Sequence, residues 1–216
     1  ELLIEMYCGS EVHDKLLTLE ADWSQEGVVK AFTKFKEWID YGYFPEGYLS
    51  TDPNDTKLLL YSDMAAMDIQ GPWYETNIID DGQDVSKYGY FKFPLVEGAN
   101  RMSAFIEMIQ FNAELSDEKL KACMDFIEYL YTPEKVAEYN LPQPLPYKDL
   151  ELPENLTLVP QLMESMDKYG TFTIADQGLP QEVVNKLFEV QDKLAIGEMT
   201  PEEAAQFMQE EAEKYK

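Results

Sequence analysis

The sequence predicts an α/β protein, rich in helix with a few short strands set between the helices. Three observations predict it. Apolar residues recur at helical spacing over most of the chain, as in Val28, Val29, Phe32, Phe35 and Ile39. Helix starts and stops are marked by Ser116, Thr132-Pro133-Glu134, Thr200-Pro201-Glu202-Glu203 and Gly197. Short β-prone runs at 65–70, 88–93 and 104–111 end at Gly or Pro or run into loop residues.

In chain order, Leu2-Leu3-Ile4 with Met6 reads as one face of a helix over residues 1–8. A second helix is expected after Ser24 as N-cap, following Trp23, and ends at Gly42. Residues Tyr43 to Thr56 are rich in Gly, Pro and Asp and read as loop, and Lys57–Tyr61 as a short helix. The strand at 65–70 then runs into Gly71-Pro72-Trp73. Gly71 allows close backbone approach, and Pro72 suits a first helical position because its missing N–H has no intrahelical partner there. A helix follows to about Ile79, then a turn at Asp80-Asp81-Gly82 and a strand from Tyr88 to Phe93 that stops at Pro94. After a Gly/Asn loop comes the strand Ala104–Phe111. Ser116 caps a helix with Leu120, Cys123, Met124, Ile127 and Leu130 on one face. Pro142, Pro144 and Pro146 favour a stiff extended crossing. Helices are expected over 158–169, from Pro180 to Gly197 and from Thr200 to the C-terminus.

With 216 residues and 45% hydrophobic composition, the chain can form one large or two small domains with a core. No apolar run is long enough to cross a bilayer. The chain opens on Glu1 and shows no signal peptide, so a mature or trimmed segment is expected. A net charge of −25 argues against nucleic-acid binding, which needs clustered Lys and Arg, and reads first as a solvated, self-repelling surface. Arg101 is the single arginine, which disfavours a dedicated phosphate clamp.

Reactive chemistry is sparse. Cys8 and Cys123 match no metal or disulfide spacing, and Cys123 reads as a small buried hydrophobe. His13, the only histidine, sits among polar residues and reads as an exposed surface side chain, which removes the usual zinc sites and triads. No cofactor and no metal is expected. Asp80-Asp81-Gly82-Gln83-Asp84 lacks EF-hand spacing. Asn155-Leu156-Thr157 matches a glycosylation acceptor, a motif short enough to occur by chance. Glu107 is the most interesting carboxylate because its neighbours are apolar. Phe32, Phe35, Phe126 and Phe188 fall at core spacings, as does Trp38. Trp73 stands at a strand-to-helix corner, where position alone leaves it equally a ligand platform or a buried anchor.

The run from Ala66-Met67-Asp68-Ile69-Gln70-Gly71-Pro72-Trp73 to Ile78 resembles a segment of bacterial extracellular solute-binding proteins of the maltose-binding type, which deliver sugars to ABC transporters. Lys87–Pro94, the stretch from Met108 to Thr132-Pro133-Glu134, the helix pair around Ala195–Ala204, and Trp23–Phe44 resemble further segments in the family's order. The resemblance implies a periplasmic-binding-protein-like (type II) fold, here as the C-terminal lobe with part of the first lobe. It assigns 1–94 and 141–216 to lobe two and 95–140 to a segment that packs on lobe one. The family's first half, with its signal or lipoprotein segment, has no counterpart in this sequence, and Ala104-Phe105-Ile106-Glu107 replaces a Gly-rich strand start. An extracellular or periplasmic, lipid-anchored full-length form and an ABC permease partner are implied.

On this basis the leading expectation is a non-enzymatic module that binds a sugar or oligosaccharide. Trp73 supplies the stacking face, with Gln70, Tyr74 and Glu107 bonding hydroxyls and Asp176 and Gln177, in a loop before a helix, lining the same cleft. A half-cleft should bind weakly. The strand 104–111 and helix 116–131 should expose apolar faces and drive homodimerisation. Two alternatives stay open: a carbohydrate-active hydrolase using Glu107 and a second acid, and a helical interaction domain with no cleft at Trp73.

Overall fold

A computed structural model describes residues 1–94, 101–106, 108–139 and 152–216. Its elements in order are α1 (Leu2–Cys8), α2 (Ser10–Leu17), α3 (Glu26–Asp40), α4 (Thr56–Tyr61), α5 (Trp73–Asp80), β1 (Met102–Ala104), α6 (Asp117–Leu130), α7 (Pro133–Tyr139), α8 (Val159–Tyr169), β2 (Thr171–Thr173), α9 (Ala175–Gly178), α10 (Gln181–Ile196) and α11 (Pro201–Ala212). Among the described residues no helix is long and apolar enough to cross a membrane.

The chain divides into two compact units. Unit one comprises Glu1–Asp68, Lys92–Phe105 and Ser165–Lys216; unit two comprises Ile69–Phe91 and Ile106–Glu164. In unit one, α3 packs against α1 and α11, and α10 against α11. Their facing stripes, with Leu16, Val28, Phe32, Val183, Val184, Leu187, Val190, Leu194, Ala204 and Met208, make one buried core. The helical spacing read in the sequence puts these residues on one side of each helix, and burial of each large side chain contributes about 1.5–3 kcal/mol. Helix ends follow the signals: Gly197 takes the left-handed conformation (φ 77°) after α10, and Thr200 and Glu203 form a reciprocal capping box on α11. Trp23 joins this core, 1% exposed, and its backbone N–H donates to Gln209 Oε1 at 2.7 Å.

β1 and β2 pair in parallel, Ser103 opposite Phe172, as the two-stranded sheet of unit one. The expected strands at 65–70 and 88–93 do not form; both segments lack regular structure. The strand expected over 104–111 does not form beyond its first residue: the observed strand is Met102–Ala104, with 105–106 and 108–111 irregular. The reason is partnership: a strand leaves its N–H and C=O groups open unless another strand lies beside it, and β2 offers only three residues. Met64, Met67 and Ile69 are correspondingly exposed.

Other readings shift. α2 is a helix with no counterpart among the elements expected from the sequence. His13, expected on the surface, is 2% exposed, because it lies on the inward face of α2 against the Phe172 ring. α3 is preceded by Gln25 rather than capped by Ser24, whose N–H and hydroxyl both donate to Asp22. Phe126 and Phe188 are largely exposed, so helical spacing put them one position off their buried stripes.

In unit two the buried apolar side chains among the described residues are Ile78, Val136, Leu156 and Val159. On α6, Leu120, Cys123, Ile127 and Leu130 are half-buried at helical spacing, while Met124 and Tyr129 are exposed with Ile106, Met108, Ile109 and Phe111. This agrees with the apolar exposure expected of that stretch. The Pro142–Pro146 crossing lies outside the described residues.

Candidate ligand-binding site

The candidate site is built on the corner at Gly71-Pro72-Trp73 in unit two. α5 begins at Trp73, with Pro72 one place earlier than expected, at the cap position (φ −61°). Pro suits both positions, since neither needs an N–H inside the helix. The Tyr74 N–H donates to the Gly71 carbonyl at 3.1 Å and closes the corner. The six-membered ring of the Trp73 indole folds back over Gly71: a Cβ built there would lie 2.1 Å from Cζ3 and 2.2 Å from Cη2. Only glycine leaves room for the ring in this pose. Trp73 is half-buried, as are Gln70 and Tyr74.

A buried carboxylate two residues on fixes this corner. Glu75, 3% exposed, accepts the backbone N–H groups of Thr157 (2.5 Å), Leu158 (2.9 Å) and Val159 (2.8 Å) and the Thr157 hydroxyl (3.0 Å). These amides open α8. A helix start leaves its first N–H groups unsatisfied and carries partial positive charge, so a carboxylate there satisfies the donors and meets the dipole. The residue before α8 is Leu158, which has no side-chain acceptor; Glu75 caps the helix from another part of the chain. With Ile78 buried on the same face, this ties α5, the helix that Trp73 opens, to the start of α8.

Sequence reasoning missed Glu75. No local signal marked it: Asn155 and Thr157 both look like usable caps in the sequence, and Glu75 is followed by the polar Thr76 and Asn77.

The remaining candidates lie elsewhere. Asp176 and Gln177 are exposed in unit one and sit on the single turn α9 rather than in a loop. Ala175, just before them, is buried and donates its N–H to the Glu1 carboxylate. Glu107 lies outside the described residues. A shallow depression in unit one, lined by Val29, Met199, Phe207 and several glutamates, includes none of the candidates. Among the described residues no cluster of His, Cys, Asp and Glu is placed to hold a metal ion. Burial, with help from the charge of Glu5, pushes the Cys8 thiol up to about 11, which disfavours its thiolate form.

These elements define the class of protein. The fold is that of a solute-binding protein: a solved structure of a "Chitin oligosaccharide binding protein" superposes with a TM-score of 0.80 at 20% identity, over 99% of this chain and 55% of that one. The chain thus spans about half the length of that structure. No curated protein sequence matches it. The profile of a family described as "Bacterial extracellular solute-binding protein" matches residues 6–145, more than half of the sequence, and the chain belongs to that family.

Proposed function

We propose that this chain is the part of an extracellular sugar-binding protein that presents a stacking face to a saccharide, and that it serves an ABC importer without catalysing a reaction. Family membership supports solute binding, and likeness to a chitin oligosaccharide binding protein supports an oligosaccharide as the solute. The observation that carries the reading is the half-buried Trp73 indole, seated over Gly71 at the start of the helix that Glu75 anchors. An aromatic face at a rigid corner can lie against the C–H face of a pyranose while polar neighbours bond its hydroxyls. Gln70, Tyr74 and Glu107 are the proposed polar partners of the ligand beside Trp73, and Asp176 and Gln177 are proposed as further ligand contacts.

In the full-length protein, 1–94 and 141–216 would belong to one lobe and 95–140 to the other. The bonds from Glu75 to 157–159 support placing 69–91 with 152–164, and the compact unit that holds both also takes in 106–139. The apolar face on 106–131 is then an interface: with the other lobe when that is present, and with a second copy of this chain when it is not. Extracellular placement follows from the family, and lipid anchoring and the permease partner are proposed from the resemblance.

Calorimetry with chitin and malto-oligosaccharides on this chain and on Trp73→Ala tests the site. The expected result is weak binding that falls at least tenfold in the variant; tight binding that ignores the substitution removes Trp73 from the role. Light scattering tests the interface, where a strict monomer at high concentration ends the dimer reading.

A further inference from the structure

A cluster of charges in unit one takes no part in the site. Glu5 on α1 is fully buried and receives two bonds from the guanidinium of Arg101, Nε to Oε1 at 2.8 Å and Nη2 to Oε2 at 3.0 Å. Arg101 also meets Asp14 on α2, at 2.8 Å and 3.1 Å, and the Ser10 carbonyl at 3.2 Å. His13, the only histidine, lies against the same carboxylate. Its Nδ1 is 3.2 Å from Glu5 Oε2 but makes no hydrogen bond, and its ring stands edge-on to Phe172 of β2, centroids 4.6 Å apart. The Arg101 guanidinium lies over the same Phe172 ring at 5.6 Å. The charged side chains facing His13 are thus Glu5 from α1, Asp14 from its own helix, and Arg101 from the segment leading into β1.

Arg101 immediately precedes β1, whose first N–H, on Met102, donates to the Gly170 carbonyl. β1 ends one residue before the chain leaves unit one at Phe105. Of its two carboxylates Asp14 is 56% exposed, and an exposed pair contributes little. Glu5 is therefore the main side-chain hold on the foot of β1, beside the Met102 bond to Gly170.

We propose that His13 is a proton-operated latch on the β1–β2 pair: a proton on its imidazole places a second cation beside the one buried carboxylate that holds Arg101, and the strand pair opens to accommodate it. The pocket is sealed from water, so an imidazolium there loses its solvation, and its nearest acceptor, Glu5 Oε2 at 3.2 Å, already takes a bond from Arg101. Burial, reinforced by Arg101 and partly offset by Glu5 and Asp14, holds the His13 pKa down to about 4. The folded value lies below that of a free imidazole, so an opened form binds the proton more readily. The latch is fully closed above about pH 6.5 and weakens as pH falls toward 4. Between pH 7 and 4.5 the population of the opened strand pair should rise on the order of 50-fold.

A single histidine gives one imidazole signal, so an NMR titration of the full chain from pH 8 to 4 reads it directly. The expected result is an imidazole midpoint about two units below a free histidine, with the Ser103 and Phe172 amides shifting at that midpoint and the Val184 and Leu194 amides unmoved. In His13→Gln, or His13→Phe, which keeps an aromatic ring against Phe172, the strand response should vanish. The proposal is overturned by an imidazole midpoint near 6.5, by a strand response that survives in either variant and so belongs to Glu5 or Asp14, or by all amides moving together as in global unfolding. If neither variant folds, coincidence of the imidazole and strand midpoints in the wild-type chain decides.

Discussion

Gly71 and Glu75 flank Trp73 and act on its corner differently: one by having no side chain, the other by having a buried charged one. Gly71→Ala would drive a methyl into the indole, and the ring must then leave its seat. Fluorine NMR on fluorotryptophan-labelled protein should show one of three resonances displaced, with those of Trp23 and Trp38 unchanged. A spectrum that does not move would mean that the ring does not rest on Gly71 in solution. Glu75→Gln keeps the shape but removes the charge that meets three helix-opening amides. It should lower stability by about 2 kcal/mol, since hydrogen bonds to a buried charge are the strong ones. Urea denaturation measures this, and amide exchange should quicken first at 157–162. Glu75 was hidden in the sequence because its partners lie more than 80 residues away.

Helices could be placed from the sequence wherever their caps are local. Ser116, Gly197 and the Thr200–Glu203 box did what their types imply, because a cap needs only residues three or four places apart. Thr200→Ala should therefore cost about 1 kcal/mol in chemical denaturation. No change would mean that α11 is held by its packing on α3 and α10 alone. Strands were another matter. Apolar residues at 65–70 and 88–93 suit a sheet, but a strand exists only beside a partner, and the described residues supply one to Met102–Ala104 alone. Phe126 and Phe188 show the same limit for helices: a period names a stripe, yet whether the stripe meets a neighbour is decided elsewhere.

The two units differ in what holds each together. Unit one closes over a continuous core of four packed helices, whereas unit two buries Ile78, Val136, Leu156 and Val159 and relies on the Glu75 cap. Cooperative opening should begin in unit two. Hydrogen exchange should find its amides on α5 and the first part of α8, residues 159–164, exchanging at least tenfold faster than those of α3 and α10. Equal protection in both would show that the units unfold as one. The acidity, net −25, adds a repulsion that every local pair works against.

By itself the sequence determined most helix periods, the caps at Ser116, Gly197 and Thr200, the helix start at Gly71-Pro72-Trp73 and, through its family resemblance, the class of solute-binding protein, because each is written in residues close together along the chain. Only the tertiary structure decided that His13 is buried, that Arg101 is spent inside on Glu5 and Asp14, and that Glu75 serves a distant helix. Those are outcomes of which surfaces meet. A charged side chain enters the interior only where a partner from elsewhere in the chain satisfies it, and no local pattern names that partner.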